Sequence, residues 1–323
     1  MSKSLKTLLI AAAATAVAAA PALAADKVRC VISTKTIFEM DDAHVANENG
    51  HYKANNLDVS LIYGDGGAST LQTIITGSQD VTTGNGVLGV MSAFAKGAPV
   101  RIIGNSKRGT GDLFWYVPAN SPIKSLKELK EGQELAYSRP GSSTHLTTLY
   151  LVKALGIKPK LVSVGGPPSS RTQVMSGQVA TGWSAFPLNA NLIREGKIRI
   201  IGTGKLAADL EGATIRVVAA NANWLDKNPD VAKRFMKALW AGHKELYTDP
   251  KVIERYAARW KLNVEDVKDA PKYSPLAETT FWPIGKKDLL NEIAVANKNL
   301  SKPLTEAEWN QLVKVVYDPD KES

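Results

Sequence analysis

The sequence predicts an α/β protein with two successive sheet-forming units and a helical C-terminal part. Short apolar runs typical of strands alternate with helical patterns from Val28 to Ile103, and the alternation restarts after Asp112. Beyond Thr214 the pattern becomes mostly helical. Alternating strands and helices indicate a parallel sheet with helices on its faces.

In the first unit, four strands are separated by helices and glycine-rich turns. Ser69 or Thr70 is placed to cap the helix that Gly77 ends, and another helix covers Asp41–Asn49. The predicted strands are Val28–Ser33, Leu57–Tyr63, Asp80–Thr82 and Val100–Ile103.

The second unit repeats this plan and leads into the C-terminal helices. Ser125 and Glu128 have the spacing of a capping box, as have Thr305 and Glu308, and Asn228 and Asp249 each precede a proline as helix caps. The predicted strands are Leu113–Val117, Leu135–Ser138, Leu161–Val164, Gln178–Ser184 and Arg199–Gly202, with one more at Ile215–Ala219. We expect the aromatic residues of the C-terminal helices to lie in the core.

The stretch Leu135–Leu155 combines a strand, a turn at Pro140-Gly141, three hydroxyl residues and a helix. Ser142 or Ser143 is a natural N-cap for that helix. A helix N-terminus presents free N–H groups and partial positive charge, which suits an anion. The alternative is an ordinary, well-capped strand–turn–helix connection.

Ligands of open α/β sheets bind outside the carboxyl ends of the strands. Residues that follow predicted strands are therefore candidates for a ligand cleft. Arg139 could pair with an anion or lie on the surface, and Trp183 could contact the ligand or pack in the core. His145 and Trp115 are better explained as structural. The candidates from this argument are Thr34, Thr36, Phe38, Asn85, Arg139, Ser142, Ser143, Thr144 and Trp183.

Residues 1–25 have the pattern of a signal peptide, with Lys3 and Lys6 before an apolar run and an Ala22-Leu23-Ala24 cleavage motif. We therefore expect an exported, periplasmic and soluble mature protein. The single cysteine, Cys30, excludes an intrachain disulfide and is expected to be buried in the first strand.

The sequence shows few signs of catalysis. It has no nucleophile elbow, phosphate-binding glycine loop or zinc-protease motif, and its four histidines are dispersed. We expect no catalytic residues, no metal and no cofactor. The formal charge of +9 is spread over helices with acids between, which does not indicate nucleic-acid binding.

The mature chain resembles the periplasmic binding proteins of ABC importers of the alkanesulfonate, taurine and nitrate type, a group that includes thiamine-precursor binders. The likeness covers nearly all of the mature chain and depends on the order of several stretches. They are Ala46–Ile62, Gly67–Gly86, Gly97–Gly104, Ser121–Tyr137, Arg139–Leu146 and Asn221–Leu239.

The resemblance implies the two-lobed periplasmic binding protein fold of type II, with two α/β lobes joined by two crossover segments. We place lobe 1 at residues 26–110 and 216–323 and lobe 2 at residues 111–215. The resemblance also implies that Ser69 and Phe186 line the site together with the candidates above. It further implies delivery of a ligand to a membrane permease.

Two departures from the family pattern concern the ligand. The chain has Val179-Ala180-Thr181 where relatives usually have Val-Asp-Ala, and Phe186 precedes Pro187 where an aspartate is common. The loss of these acids argues against a cationic ligand. We expect a small organic anion that is sulfonate-like, nitrate-like or a carboxylate.

The expected function is that of a monomeric solute-binding protein that closes on its ligand by hinge motion. The anionic head would lie on the helix start at Ser142–Thr144, with the apolar part near Trp183 and Phe186. The ligand would pass to an ABC permease in the inner membrane. Two alternatives stay open: a sensing protein that docks on a receptor, and an exported enzyme of unrecognised type.

Overall fold

The computed structural model describes residues 24–321, so the predicted signal peptide lies outside it except for its last two residues. The strands are β1 Asp26–Ile32, β2 Leu57–Tyr63, β3 Val81–Gly86, β4 Val100–Arg108, β5 Leu113–Pro118, β6 Glu134–Tyr137, β7 Lys160–Ser163, β8 Gly182–Ala185, β9 Ile198–Thr203 and β10 Thr214–Asn221. The helices are α1 Asp42–Glu48, α2 His51–Ala54, α3 Gly67–Ile75, α4 Val87–Ala95, α5 Ser143–Leu155, α6 Pro167–Met175, α7 Ala190–Arg194, α8 Ala222–Lys227, α9 Pro229–Thr248, α10 Pro250–Trp260, α11 Val264–Val267, α12 Ala270–Tyr273, α13 Leu276–Thr279, α14 Lys287–Ala296 and α15 Glu306–Leu312.

A five-stranded sheet of order β2-β1-β3-β10-β4 forms the first structural group. β1 runs parallel to β2 and β3, with Val28 beside Val59 and Cys30 beside Val81. β10 runs antiparallel to its neighbours β3 and β4. The strand–helix alternation predicts the parallel strands but not this direction, because β10 re-enters the sheet after the chain has passed through β5–β9.

The second group contains an antiparallel sheet of order β8-β5-β9 and a parallel pair, β6 and β7. Only β6 and β7 pair as the repeated strand–helix plan indicates, with α5 as the crossover helix between them. β5 pairs antiparallel with β8 and β9. This difference reflects connectivity: β5 brings the chain from the first sheet, and β9 takes it back.

The chain passes between the two groups twice, after Arg108 and again before Thr214. The five-stranded sheet uses only residues 26–108 and 214–221, and the other strands use residues 113–203. The names lobe 1 and lobe 2 keep the bounds given above. Relative motion of the lobes stays a prediction.

Two of the predicted helix caps are confirmed. The Asp249 carboxylate accepts a hydrogen bond from the Lys251 N–H at 2.9 Å. Thr305 and Glu308 form a reciprocal capping box at the start of α15. The aromatic residues Phe235 and Tyr256 of α9 and α10 are buried, as predicted.

Two other predicted caps are wrong, and a third is correct in position only. α3 begins at Gly67 with Gly66 as N-cap, so neither Ser69 nor Thr70 caps it. Asn228 is the N-cap residue of α9 with Pro229 at the first helical position, as predicted, although its side chain donates to the Trp224 carbonyl and forms no cap bond. Ser125 begins a single 3₁₀ turn without a side-chain cap bond.

Cys30 is fully buried in β1, as predicted, and burial raises the pKa of its thiol. Within residues 24–321 no helix is long and apolar enough to cross a membrane.

α1 and α9 pack so closely at Gly242 that a side chain there has no room. A Cβ at this position would lie 2.5 Å from the Ala46 nitrogen and 2.7 Å from the Asp42 oxygen, both backbone atoms. This approach holds α1 against α9, and the turn Phe38–Asp41 that precedes α1 contributes Met40 to the cleft described below.

We expect Gly242→Ala to lower the free energy of unfolding by about 1–3 kcal/mol, because backbone atoms of α1 must move away. Urea denaturation of the mature protein measures this. Lys244→Ala, on the exposed side of the same helix, is the control and should stay within about 0.5 kcal/mol of the wild type. Equal stability of Gly242→Ala and wild type would contradict the close packing.

Candidate functional site

A narrow cleft between the two lobes is the candidate site. It encloses about 30 Å³, which suits ordered water and not an organic molecule. From lobe 1 it is lined by Thr34, Ile37, Met40, Gly66, Gly67, Gly84, Gly86 and Arg216; from lobe 2 it is lined by Ser138, Ser142, Ser143, Thr144, Gly166 and Trp183.

Three helices begin at this cleft. α3 starts after Gly66, α5 after Ser142 and α6 after Gly166, and all three of these N-cap residues line the cleft. The first N–H groups of α3 and α5 have no acceptor within the helix, whereas α6 begins with two prolines, which have no N–H. Each N-terminus also carries about half a unit of positive charge. The three N-termini together make the cleft attractive to an anion.

The hydroxyl groups at the start of α5 organise its first turn. The Ser142 Oγ accepts a hydrogen bond from the His145 N–H at 3.1 Å, so the predicted N-cap is confirmed at Ser142. The Thr144 Oγ1 accepts from the Ser138 N–H at 2.8 Å and ties α5 to the end of β6. These bonds fix the helix start and leave the N–H groups of Ser143 and Thr144 without an intrahelical acceptor.

Arg216 lines the cleft, and the sequence argument did not predict it. It lies on β10 and is 2% exposed. Its guanidinium donates to the Glu39 carboxylate, to Asp112 Oδ2 at 2.6 Å and to Ser143 Oγ at 3.2 Å. The sequence does hold a signal for it, because a charged residue inside the apolar strand Ile215–Ala219 needs a buried partner.

Two carboxylates share the charge of Arg216. Glu39 and Asp112 are each 1% exposed. Burial raises the pKa of Glu39; the Arg216 charge opposes this rise and the Asp112 charge adds to it. The protonation state of Glu39 therefore decides how much of the Arg216 charge is available to a ligand.

Trp183 closes one side of the cleft and is 4% exposed. Its indole N–H donates to the Gly165 carbonyl at 3.0 Å, which holds the ring beside the start of α6. Trp115 instead lies in the core with its indole N–H bonded to the Ala136 carbonyl at 2.7 Å. His145 packs against Tyr137, and burial lowers its pKa. Both Trp115 and His145 thus have structural surroundings.

The structure brings together Thr34, Ser142, Ser143, Thr144 and Trp183 of the predicted candidates. The aromatic candidates do not join them. Phe38 is fully buried in a separate cluster with Tyr247 and Tyr256 in lobe 1. Phe186 stacks on Tyr273 of lobe 1, with ring centroids 3.7 Å apart. The position after a strand predicts Phe38 at the cleft, and the resemblance predicts Phe186 there, but both pack against aromatic partners distant in sequence.

Three polar candidates also have other partners. The Asn85 side chain bonds to Thr70 and Thr82 inside lobe 1. The Ser69 hydroxyl donates to the Gly66 carbonyl at 2.8 Å within the first turn of α3. Thr36 accepts a hydrogen bond on its carbonyl from the Tyr256 hydroxyl at 2.8 Å. These residues support the loops around the cleft and do not line it.

Arg139 reaches across the cleft mouth to lobe 1 instead of facing the cavity. Its guanidinium lies 2.5 Å from the Asp65 carboxylate and also donates to the Asp65 carbonyl at 3.1 Å. Both side chains are partly exposed, so this ion pair contributes about 0–1 kcal/mol. This pair therefore does little to hold the lobes together.

The two lobes also meet through backbone atoms at the start of α5. The Gly89 N–H donates to the Gly141 carbonyl at 3.2 Å. A Cβ on Gly86 would lie 2.4 Å from that carbonyl oxygen and 2.8 Å from the Ser142 Cα. The φ of Gly86 is −61°, so alanine fits its backbone and only the contact with lobe 2 requires glycine.

No group of three or more histidine, cysteine, aspartate or glutamate side chains within residues 24–321 could hold a metal ion.

The sequence profile of the NMT1/THI5-like family matches residues 41–253. The match covers more than half of the chain, and the chain belongs to this family. A search of curated protein sequences finds no match.

Solved structures share the fold of this chain. The alkanesulfonate-binding protein SsuA from Xanthomonas axonopodis pv. citri, bound to MOPS, has a TM-score of 0.76 and 18% identity over 91% of this chain and 100% of that one. The periplasmic aliphatic sulphonate binding protein SsuA from Escherichia coli has a TM-score of 0.69 and 19% identity over 90% of this chain and 92% of that one. The periplasmic nitrate-binding protein NrtA from Synechocystis PCC 6803 has a TM-score of 0.69 and 15% identity over 90% of this chain and 86% of that one.

These likenesses confirm the predicted periplasmic binding protein fold and the resemblance that implied it. The three matched structures are named as binding proteins and not as enzymes. The present chain has the same architecture around a cleft in which three helices begin.

We expect Gly86→Ala to hold the lobes apart, because the new methyl group would overlap the Gly141 carbonyl. Small-angle X-ray scattering of the mature protein should show a larger radius of gyration than for wild type. Gly166→Ala is the matched control, since a Cβ there would meet its nearest atom, Asp65 Oδ1, at an ordinary 3.4 Å. A Gly86→Ala scattering curve identical to wild type would contradict the closed contact.

Proposed function

We propose that the chain is an exported solute-binding protein that captures a small organic anion between its lobes and delivers it to an ABC permease. The observation that carries the proposal is the convergence of three helix N-termini and the buried Arg216 on one cleft. Family membership and the shared fold support the solute-binding part. The predicted signal peptide supports export to the periplasm.

The anionic head would lie at the start of α5. There the N–H groups of Ser143 and Thr144 have no intrahelical acceptor, and the Ser143 hydroxyl already contacts the Arg216 guanidinium at 3.2 Å. An oxygen of a sulfonate, carboxylate or nitrate can accept from the same donors. Arg139, which is paired with Asp65, is not part of this proposal.

The neighbours of Arg216 favour an anion of low charge. When both are ionised, Glu39 and Asp112 offset the whole charge of Arg216, and the helix N-termini then supply most of the attraction. The apolar walls Ile37, Met40 and Trp183 exclude water around the head. A monoanion therefore fits better than a phosphate with two charges.

The proposal requires the lobes to part. A cavity of about 30 Å³ is far below the roughly 300–1,000 Å³ of small-molecule sites. The contacts between the lobes include a partly exposed ion pair, one backbone hydrogen bond and the hydrogen bond from Arg216 to Ser143. Phe186 of lobe 2 also stacks on Tyr273 of lobe 1. Hinge opening and reclosure on a ligand would break and re-form these contacts.

Thermal unfolding against a panel of small molecules tests the ligand class. The panel holds alkanesulfonates, taurine, nitrate, aromatic carboxylates and pyrimidine precursors. A ligand at about 100 times its Kd adds about 2.7 kcal/mol to the free energy of unfolding. We expect a rise in Tm of about 2–4 °C with an anionic member, based on the size dependence of Tm shifts.

Ser143→Ala should reduce this rise, because it removes the hydroxyl that joins Arg216 to the start of α5. Ser176→Ala, an exposed serine at the end of α6, is the control and should keep the full rise. A shift caused only by the pyrimidine precursors, or an undiminished shift in Ser143→Ala, would contradict the placement of the anion.

The raised pKa of Glu39 predicts a pH dependence of anion binding. As pH rises through that pKa, Glu39 becomes charged beside Arg216 and repels the anion, so affinity should fall. Calorimetric titration with a sulfonate that stays ionised measures this between about pH 5 and about pH 8.

Glu39→Gln should bind more tightly than wild type at the upper end of this range, with a flat pH profile. Glu195→Gln on the surface of lobe 2 is the control and should keep the wild-type slope. A pH profile that is the same in wild type and Glu39→Gln would contradict a role of this carboxyl group.

A further inference from the structure

A second and larger cavity lies beside the cleft, between α3 and α4. We call it the side groove and define it by Ala68, Gln72 and Ile75 of α3 and by Ala93 and Lys96 of α4. It has a volume of about 440 Å³, within the roughly 300–1,000 Å³ of small-molecule sites. The Pro140–Ser142 turn of lobe 2 closes its inner end.

The side groove and the cleft adjoin at the start of α5. Gly67, Gly86 and Ser142 line both cavities. The boundary between them is thin, because the backbone of Gly86 lies directly against Gly141 and Ser142. Gly86 belongs to lobe 1 and Ser142 to lobe 2, so a small parting of the lobes joins the two cavities.

The walls of the side groove suit an apolar chain. Leu71, Ile75 and Ala93 give it hydrocarbon surface. Among the described residues that line it, none is acidic. The exposed Lys96 and Lys298 lie on its wall, so a chain that ends near them can carry a polar or charged group.

We propose that the ligand is an elongated organic anion with its head at the start of α5 and its apolar chain in the side groove. This rests on the proposed function, because it takes the head position from it. The cleft has room for little beyond a head, and the side groove is the adjoining cavity large enough for a chain. The ligand class is thus a chain-bearing sulfonate or carboxylate.

Isothermal titration of the mature protein with straight-chain sulfonates, from methanesulfonate to octanesulfonate, and with the matching carboxylates tests this. Each methylene that enters the groove should tighten Kd about fourfold. Gln72→Trp fills the groove from an exposed helix position. It should abolish most of the increase in affinity with chain length. Gln311→Trp, the same substitution on an exposed position of α15, should keep the wild-type gain.

The outcomes separate this inference from the function it rests on. If short anions bind and longer chains bind no more tightly, the groove assignment is overturned and the anion site remains. If Gln72→Trp weakens methanesulfonate and octanesulfonate by the same factor, the groove assignment is also overturned. If no anion of either series binds, both proposals fall.

Discussion

The Arg216 guanidinium is buried at the point where both lobes meet, and a buried charge must be paired and hydrogen-bonded to be tolerated. Its partners come from three parts of the chain: Glu39 before α1, Asp112 in the first crossover and Ser143 at the start of α5. One side chain therefore fixes lobe 1, a crossover segment and the helix start of lobe 2 relative to one another. A ligand that approaches the α5 N-terminus necessarily meets this charge cluster.

Other contacts join the lobes beside this cluster. Phe186 stacks on Tyr273, and Arg194 pairs with Asp266. Arg139 and Asp65 pair at the exposed mouth, and Gly89 and Gly141 share one backbone hydrogen bond. The close approach of Gly86 to Gly141 needs only the absence of a side chain. The lobe motion that the proposed function requires must separate these contacts and the hydrogen bond from Arg216 to Ser143.

Local features of the sequence predicted the fold class and part of the cleft. The Ser142 cap, the strand β2 and the capping box of α15 depend on neighbouring residues, so periodicity and spacing find them. Arg216 and Glu39 depend on contacts between residues 177 positions apart, which no local pattern encodes. Phe38 and Phe186 follow strand ends as ligand residues do, yet distant aromatic partners take them into packing. The direction of β10 likewise follows from chain connectivity.

The central claim is that an anion binds to the N–H groups at the start of α5. The most direct measurement is a backbone amide NMR titration of the mature protein with the best anion of the thermal panel. The account predicts that the Ser143 and Thr144 amides shift in a saturable manner, with one Kd that equals the calorimetric value, and that Gly67 across the cleft shifts with them. Saturable binding that leaves the Ser143 and Thr144 amides unmoved would contradict the account.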